Sequence, residues 1–274
     1  WQHHFGEGLV RTPSDFGRIG ELPTHPELLD WLANWFIQEG WSLKKLHRLI
    51  LSSNSYRMAK QWNPIYGAED PENRLLWRVS PRRLEVEAIW DSTLAGSGQL
   101  NSQMYGPSMY PFVPEAALLG HSDPDKIWKP FDERDASRRA IYAFIKRSML
   151  VPLFEVLDFC DTARTAASRQ VTSVAPQALS LWNGDFVNRQ SLHFAERLDR
   201  EAGPDSSRQI ELASLLALGR PVNAREKTEM LAFLEREIGQ RLAEPCRDSS
   251  PTDHAKARRE ALQQMCRVIL NLTE

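Results

Sequence analysis

Between Gly96 and Asp135 the chain places Gly98, Gly106, Pro107, Pro111, Pro114, Gly120, Pro124 and Pro130, and that density limits the fold more than any other feature. Proline removes a backbone donor and fixes φ, and glycine carries a large entropic cost inside an element, so no long helix or strand is expected there. On either side, apolar residues recur at helical spacing and the runs stop at glycines. The chain therefore reads as mainly α, with helical parts over 1–95 and 172–274 flanking an irregular stretch, 96–171, that holds at most a small β element. Loops of that length in a compact domain tend to be functional or mobile. The chain begins at Trp1, and its opening WQHHFGEGLV has neither the basic start nor the apolar run of a signal peptide, so it is taken as one domain of a longer protein.

In THPELLDWLANWFIQEG, Thr24 and Glu27 match a T-x-x-E capping box. Leu28, Trp31, Leu32, Trp35 and Phe36 share a helical face that should be buried, and Gly40 ends the run. Ser42 can cap SLKKLHRLILSSNSYR, with Leu43, Leu46, Leu49 and Ile50 on one side. The short join at Gly40 predicts a helical hairpin. A third helix is expected to start near Ser80 and Pro81, its core side at Leu84, Ala88, Ile89 and Trp90. In RRAIYAFIKR, Ile141, Ala143 and Ile145 alternate with Tyr142, Phe144 and Lys146, which suits a strand slightly better than a short helix. Helices follow in VAPQALSLWNG, DFVNRQSLHFAERLDREAG and IELASLLALG. Asn223 and Glu226 cap another, with Leu231, Leu234, Ile238 and Leu242 on one face, and a last one carries Leu262, Met265, Cys266, Ile269 and Leu270. The polar stretch EPCRDSSPTDH before that last helix reads as an exposed linker.

Lys and Arg number 34 against 36 Asp and Glu, a net charge of −2, so no nucleic-acid partner is expected. No run approaches the ~20 apolar residues of a membrane-spanning helix. Cys160, Cys246 and Cys266 show no CxxC or CxxCH spacing, which speaks against covalent haem or a thiolate zinc site within the chain. They read as packed thiols, with a Cys246–Cys266 disulfide as the alternative.

Three groups of residues could carry chemistry. His3, His4 and His25, with Asp15 and Asp30, are the densest set able to ligate a metal or a haem iron; the plainer account has them bonding to backbone around glycine turns. Glu85, Glu87 and Asp91 lie near Arg82 and Arg83, and Arg138 and Arg139 could join them. Paired carboxylates suit acid–base work on polysaccharide, but interleaved arginines and carboxylates more often form ion pairs or anchor loop carbonyls. The third group is tryptophan, since eight of nine precede residue 130. Trp31 and Trp35 should pack in the core, whereas Trp62 and Trp128 sit in loops and should be exposed. The DFG of Asp15, Phe16 and Gly17 lacks the glycine-rich loop, strand lysine and HRD of a kinase, and is read as a backbone turn.

Several motifs stand in one order: W-x-H-H-F-G-x-G-L-V from Trp1, D-F-G-x-x-G-x-x-P-T-H-P-E-L-L-D-W-L-A from Asp15, and G-W-S-L-K-K-L-H-R-L-I from Gly40. D-P-E-N-R-L-L from Asp70, R-R-L-E-x-E-x-I-x-D from Arg82, R-R-x-I-Y from Arg138, P-Q-A-L-x-L-x-N from Pro176 and L-G-R-P-x-x-x-x-E from Leu218 follow. Together they resemble the planctomycete-specific domain of unknown function that closes large multidomain proteins with c-type cytochrome segments. The resemblance implies a periplasmic or secreted accessory module, partnered by the upstream domains of its own polypeptide. It implies no catalytic residue and no cofactor in the chain itself, any covalent haem c belonging to an upstream domain. An envelope enzyme or binding domain acting on polysaccharide is the alternative, and haem or metal binding by His3, His4 and His25 a third.

Overall fold

The structure, a computed structural model, describes residues 1–118, 128–129, 132–243 and 251–272. It divides into two units, one of Trp1–Arg83 with Arg164–Arg169 and one of Leu84–Ala163 with Gln170–Glu274. Regular structure is almost entirely helical. β character among the described residues is confined to isolated bridges, Asn101 to Arg138, Met109 to Ala143 and Lys146 to Met149.

The first unit holds α1 (Gln2–Phe5), α2 (Pro26–Gln38), α3 (Leu43–Ser52) and α4 (Pro64–Glu69). Ser42 caps α3 as its position predicts, accepting from the Lys45 N–H. Asn63 caps α4, with Pro64 in the first turn. The capping box at Thr24 does not form. Thr24 donates its hydroxyl to the Leu9 carbonyl at 3.2 Å, and His25 takes the N-cap position without a side-chain bond to the helix N–H groups. A distant carbonyl has claimed the hydroxyl that the local pattern assigned to the helix. The apolar face of α2 is also not a core face: no residue of the helix is buried, and Trp31 is 51% exposed.

The second unit is built on α5 (Val86–Ser97), α6 (Glu115–Leu118), α7 (Glu133–Ala136), α8 (Pro152–Val156) and α9 (Ala175–Asn183). Four longer helices follow: α10 (Asp185–Ala202), α11 (Ser206–Leu218), α12 (Ala224–Leu242) and α13 (Pro251–Leu270). Helix α10 packs on α5, α11 and α13, and α12 packs on α11 and α13. Two apolar clusters result. Trp90 and Leu94 of α5 gather Met109, Val151, Phe154 and Leu157; Phe194 and Leu198 of α10 gather Ile210, Leu234, Leu262 and Met265. Burying such side chains contributes about 1.5–3 kcal/mol each before entropy is counted.

Helix α5 begins at Val86, later than expected, because Glu85 is still extended (ψ 150°). Leu84 therefore lies outside the helix and is half exposed, while Val86, Trp90 and Leu94 form the core side. The strand expected over 141–146 is replaced by a 3₁₀ turn, Ala140–Tyr142, followed by the single bridge at Ala143. Asp91 holds the Ala140 N–H at 2.7 Å, which fixes the chain in a turn where alternation alone suggested extension. Trp128 is buried, not exposed: its indole N–H donates to Pro111 O at 2.8 Å, and its ring meets Tyr110 and Phe144. Trp62 is exposed, as expected.

Cys160 and Cys266 are free thiols, and burial, with the nearby Asp199 carboxylate, pushes the Cys266 thiol up. Cys246 lies outside the described residues, as do Gly120, Pro124 and Pro130. Of the expected linker EPCRDSSPTDH, 244–250 lie outside them too, and Pro251 to His254 already belong to α13.

Candidate functional site

In the first unit His4 and His25 take separate partners. His4 Nε2 lies 2.8 Å from His47 Nδ1, and the Tyr56 ring stands edge-on to His4. Burial, then the neighbouring charges of His47 and Arg82, lower the His4 pKa. His25 Nδ1 bonds the Thr24 hydroxyl at 2.9 Å. Asp15 turns its carboxylate onto the Gly17 N–H at 2.8 Å, and Asp30 is exposed on α2. Among the described residues, no three or more of His, Cys, Asp and Glu converge so as to hold a metal ion. The DFG segment is a closed backbone turn: Gly20 N donates to Gly17 O, and a Cβ at Gly20 would fall 2.1 Å from Asp15 O. Arg82 reaches the carbonyls of Gln2 and His3, so here an arginine of the expected cluster anchors backbone.

In the second unit, Arg139 Nε donates to Asp91 Oδ2 at 2.7 Å. Arg138 faces elsewhere. It is 1% exposed, its guanidinium donating to Pro107 O at 2.7 Å and Tyr105 O at 2.5 Å, with the Tyr142 ring beneath at 3.9 Å. Its own carbonyl accepts from the Trp90 indole N–H at 3.1 Å. The pair therefore fastens the irregular stretch to α5. Glu85 is the N-cap of α5 and Glu87 lies in its first turn, where a carboxylate meets the positive helix end. Arg83 precedes the helix.

A cavity of about 380 Å³ opens among α5, α7, α8, α9 and α10. Trp90 and Leu94, Leu153 and Val156, and Phe186 supply apolar walls. Trp90 and Phe186 stack at 4.0 Å with 9° between their planes, so the floor is a fixed aromatic surface. Polar groups also line it, among them Ser137, Asn183 and Gln190. Arg189 stands over the Phe112 ring at 4.8 Å, and Glu133 bonds His193 Nε2 at 3.1 Å. Asp185 and Ser180 line it as well. Gly184 joins α9 to α10 where any Cβ would lie 2.3 Å from Ser180 O, so the tight corner that turns both helices onto the cavity needs glycine.

The far end of the α9 segment is locked by polar bonds. Gln177 Nε2 donates to Asp158 Oδ2 at 3.1 Å and to the Thr172 hydroxyl at 2.8 Å, while Gln177 Oε1 accepts the Val174 N–H. The motif P-Q-A-L-x-L-x-N thus does two things: its glutamine fixes the helix start, and Leu179 and Asn183 face the cavity. No candidate nominated from sequence lines this cavity except Trp90. Its walls come from segments far apart in the chain, and the signal that could have found it is the glycine corner after that motif.

The model of the family described as PSD1, protein of unknown function (DUF1553), matches residues 1–234. No curated protein and no solved structure matches the chain.

Proposed function

The chain belongs to the PSD1 family of proteins of unknown function, and from that premise we propose that it is an accessory interaction module, without catalysis of its own, of an exported, c-type-cytochrome-linked multidomain protein. The observation that carries this reading is the uncovered apolar face of the first unit. Helix α2 buries no residue, and Trp31, Ile37 and Trp41 are each more than half exposed. Exposed large apolar side chains of this kind mark a place where another polypeptide packs. The upstream domains of the same polypeptide, periplasmic or secreted, are the proposed partner, and they would carry any covalent haem.

The groups nominated for catalysis support the same reading, because they are engaged in holding the fold: Arg139 with Asp91, and Arg138 with loop carbonyls. The test compares hydroxyl-radical labelling of Trp31, Ile37 and Trp41 in the chain alone and in the intact exported polypeptide, together with the visible spectrum of the latter. Protection of these side chains and a c-type haem spectrum are expected. Equal labelling, or no covalent haem, overturns the proposal.

One feature favours a second reading, polysaccharide binding. Trp31 and Trp35 present near-parallel rings, 6.4 Å apart and 23° inclined, on the uncovered helix, a surface on which sugar rings stack. Depletion of the chain from solution by an insoluble polysaccharide, abolished by Trp31→Ala, would select it.

A further inference from the structure

We propose that Arg78, with Trp62, Tyr66 and Trp77 about it, binds a uronate residue of an acidic polysaccharide. The inference is independent of the docking role and, by naming a different cluster, of the surface formed by Trp31 and Trp35. The Arg78 guanidinium lies 5.2 Å from the Trp62 ring and 5.3 Å from the Trp77 ring. The two indoles meet edge to face at 5.4 Å, and Tyr66 stands beside Trp77 at 6.0 Å. Indole faces attract a cation, but they offer its N–H groups no lone pair. Among the described residues, no hydrogen bond or ion pair engages this guanidinium. Its Nε is buried without a partner, and the terminal nitrogens stay accessible. Nearby carboxylates are committed elsewhere: Asp70 accepts from the N–H groups of Arg74 and Leu75, and Glu72 pairs with Arg11 and Arg74. Glu69, exposed at the end of α4, makes no bond to it. The cation is thus held in place with its charge unmet.

The cluster is built by its own segment. Trp77 Nε1 donates to Asp70 O at 2.9 Å, and Asn73 holds the Arg78 backbone, accepting its N–H at 3.2 Å and donating to its carbonyl at 2.8 Å. Gly67 sits inside α4, where glycine is ordinarily unfavourable. A Cβ there would fall 2.1 Å from the Trp62 ring, so its absence makes the seat for that indole. Aromatic faces and cation therefore need little rearrangement before a ligand arrives. Trp62 is 57% exposed and Tyr66 52%, large faces on which the C–H side of a sugar ring can lie. The guanidinium fork matches a carboxylate in its plane. A uronate carries both features on one ring. An acidic peptide would add backbone groups that need partners, and the described residues of the first unit present no strand edge to supply them.

Trigalacturonate, its fully methyl-esterified form and pentaglutamate are titrated calorimetrically into the 274-residue chain and into Arg78→Gln, Trp62→Ala, Trp31→Ala and Arg18→Gln, the last at an exposed arginine of the N-terminal segment. The expected result is one trigalacturonate per chain, with the ester and pentaglutamate each bound at least about tenfold more weakly. Arg78→Gln should weaken the acid about tenfold and bring it level with the ester. Trp62→Ala should weaken it about fivefold, and Trp31→Ala and Arg18→Gln should leave it unchanged. No binding of trigalacturonate overturns the proposal, as does equal binding of its ester. Pentaglutamate that binds as tightly would make the cluster an acidic-peptide site. Loss in Trp31→Ala would move the sugar to α2, and a loss in Arg18→Gln equal to that in Arg78→Gln would reduce it to diffuse charge; each of these overturns the proposal too. If circular dichroism shows that Arg78→Gln does not fold, the proposal stands or falls on Trp62→Ala and on the acid-to-ester ratio of the unaltered chain.

Discussion

Arg138 is the residue on which the irregular middle of the chain depends. A guanidinium taken out of water is costly unless its donors are met; here the two terminal nitrogens are met by the carbonyls of Pro107 and Tyr105, with Tyr142 under the cation, while Nε is buried without a hydrogen-bond partner. Those carbonyls belong to a segment with no helix or sheet to satisfy them. The charge and the loop therefore solve each other's hydrogen-bond problem. Arg138→Met should destabilise the chain by about 3 kcal/mol, read from urea unfolding followed by tryptophan fluorescence. Arg138→Lys keeps the charge but offers one point of donation in place of a fork, so it should recover less than half of the loss. If lysine restores full stability, the fork to the carbonyls is not what the arginine contributes. The neighbouring Arg139 is different in kind: its side chain is 58% exposed against Asp91, and such pairs contribute at most about 1 kcal/mol.

At the scale of the element, α12 shows how a local pattern succeeds. Asn223 accepts from the Glu226 N–H, and Glu226 returns a carboxylate oxygen to the Asn223 N–H, at 2.9 and 3.0 Å. Arg220 clamps both oxygens of that carboxylate, at 2.9 and 2.8 Å. The Arg220 bonds first, and the Asn223 N–H second, pull Glu226 down to about 2 from the usual 4.5. A carboxylate whose folded pKa is depressed stabilises the fold fully above its unfolded value. That contribution disappears as pH falls through the folded value. The thermal midpoint should therefore decline between about pH 4.5 and pH 2, and Glu226→Gln should flatten that stretch of the curve while lowering the midpoint at neutral pH. An unchanged acid limb in the variant would remove Glu226 from the account.

The same four-residue signature at Thr24 and Glu27 fails, and the contrast shows what local sequence can carry. In α12 every partner lies within six residues, so spacing suffices. At Thr24 the Leu9 carbonyl competes from fifteen residues away, and nothing in the local pattern reveals it. The expected strand over 141–146 fails for the same reason, since the grip of Asp91 on Ala140 comes from a remote helix. Helix periods and glycine stops were legible throughout the second unit, where Leu234, Leu262 and Met265 take the buried positions that their spacing assigns. The cavity was not, because five helices contribute to it and each supplies residues that look like ordinary core.

For the whole molecule, the decisive difference is how much of each helix is covered. Helices α2 and α10 both carry clear apolar stripes, yet α10 buries Val187, Phe194, Ala195 and Leu198 whereas α2 leaves Leu28, Leu32, Trp35 and Phe36 only partly covered and Trp31 exposed. Periodicity predicts a stripe, and only the rest of the fold determines whether something lies on it. Local stability should follow coverage, since amides open at low free energy where few apolar contacts would be broken. In native-state hydrogen exchange, α2 amides should exchange through small openings little affected by dilute denaturant, and those of α10 and α13 only through global unfolding. Substitutions should divide the same way. Trp90→Ala removes a ring stacked on Phe186 and set edge-on to Phe154, together with the bond to Arg138 O, and should cost about 3–5 kcal/mol. Trp31→Ser, on the uncovered face, should change stability by less than about 1 kcal/mol, and it should change binding to whatever covers that face far more than it changes folding. Equal losses in the two variants, or slow global exchange in α2, would mean that α2 is held by the fold already and needs no partner.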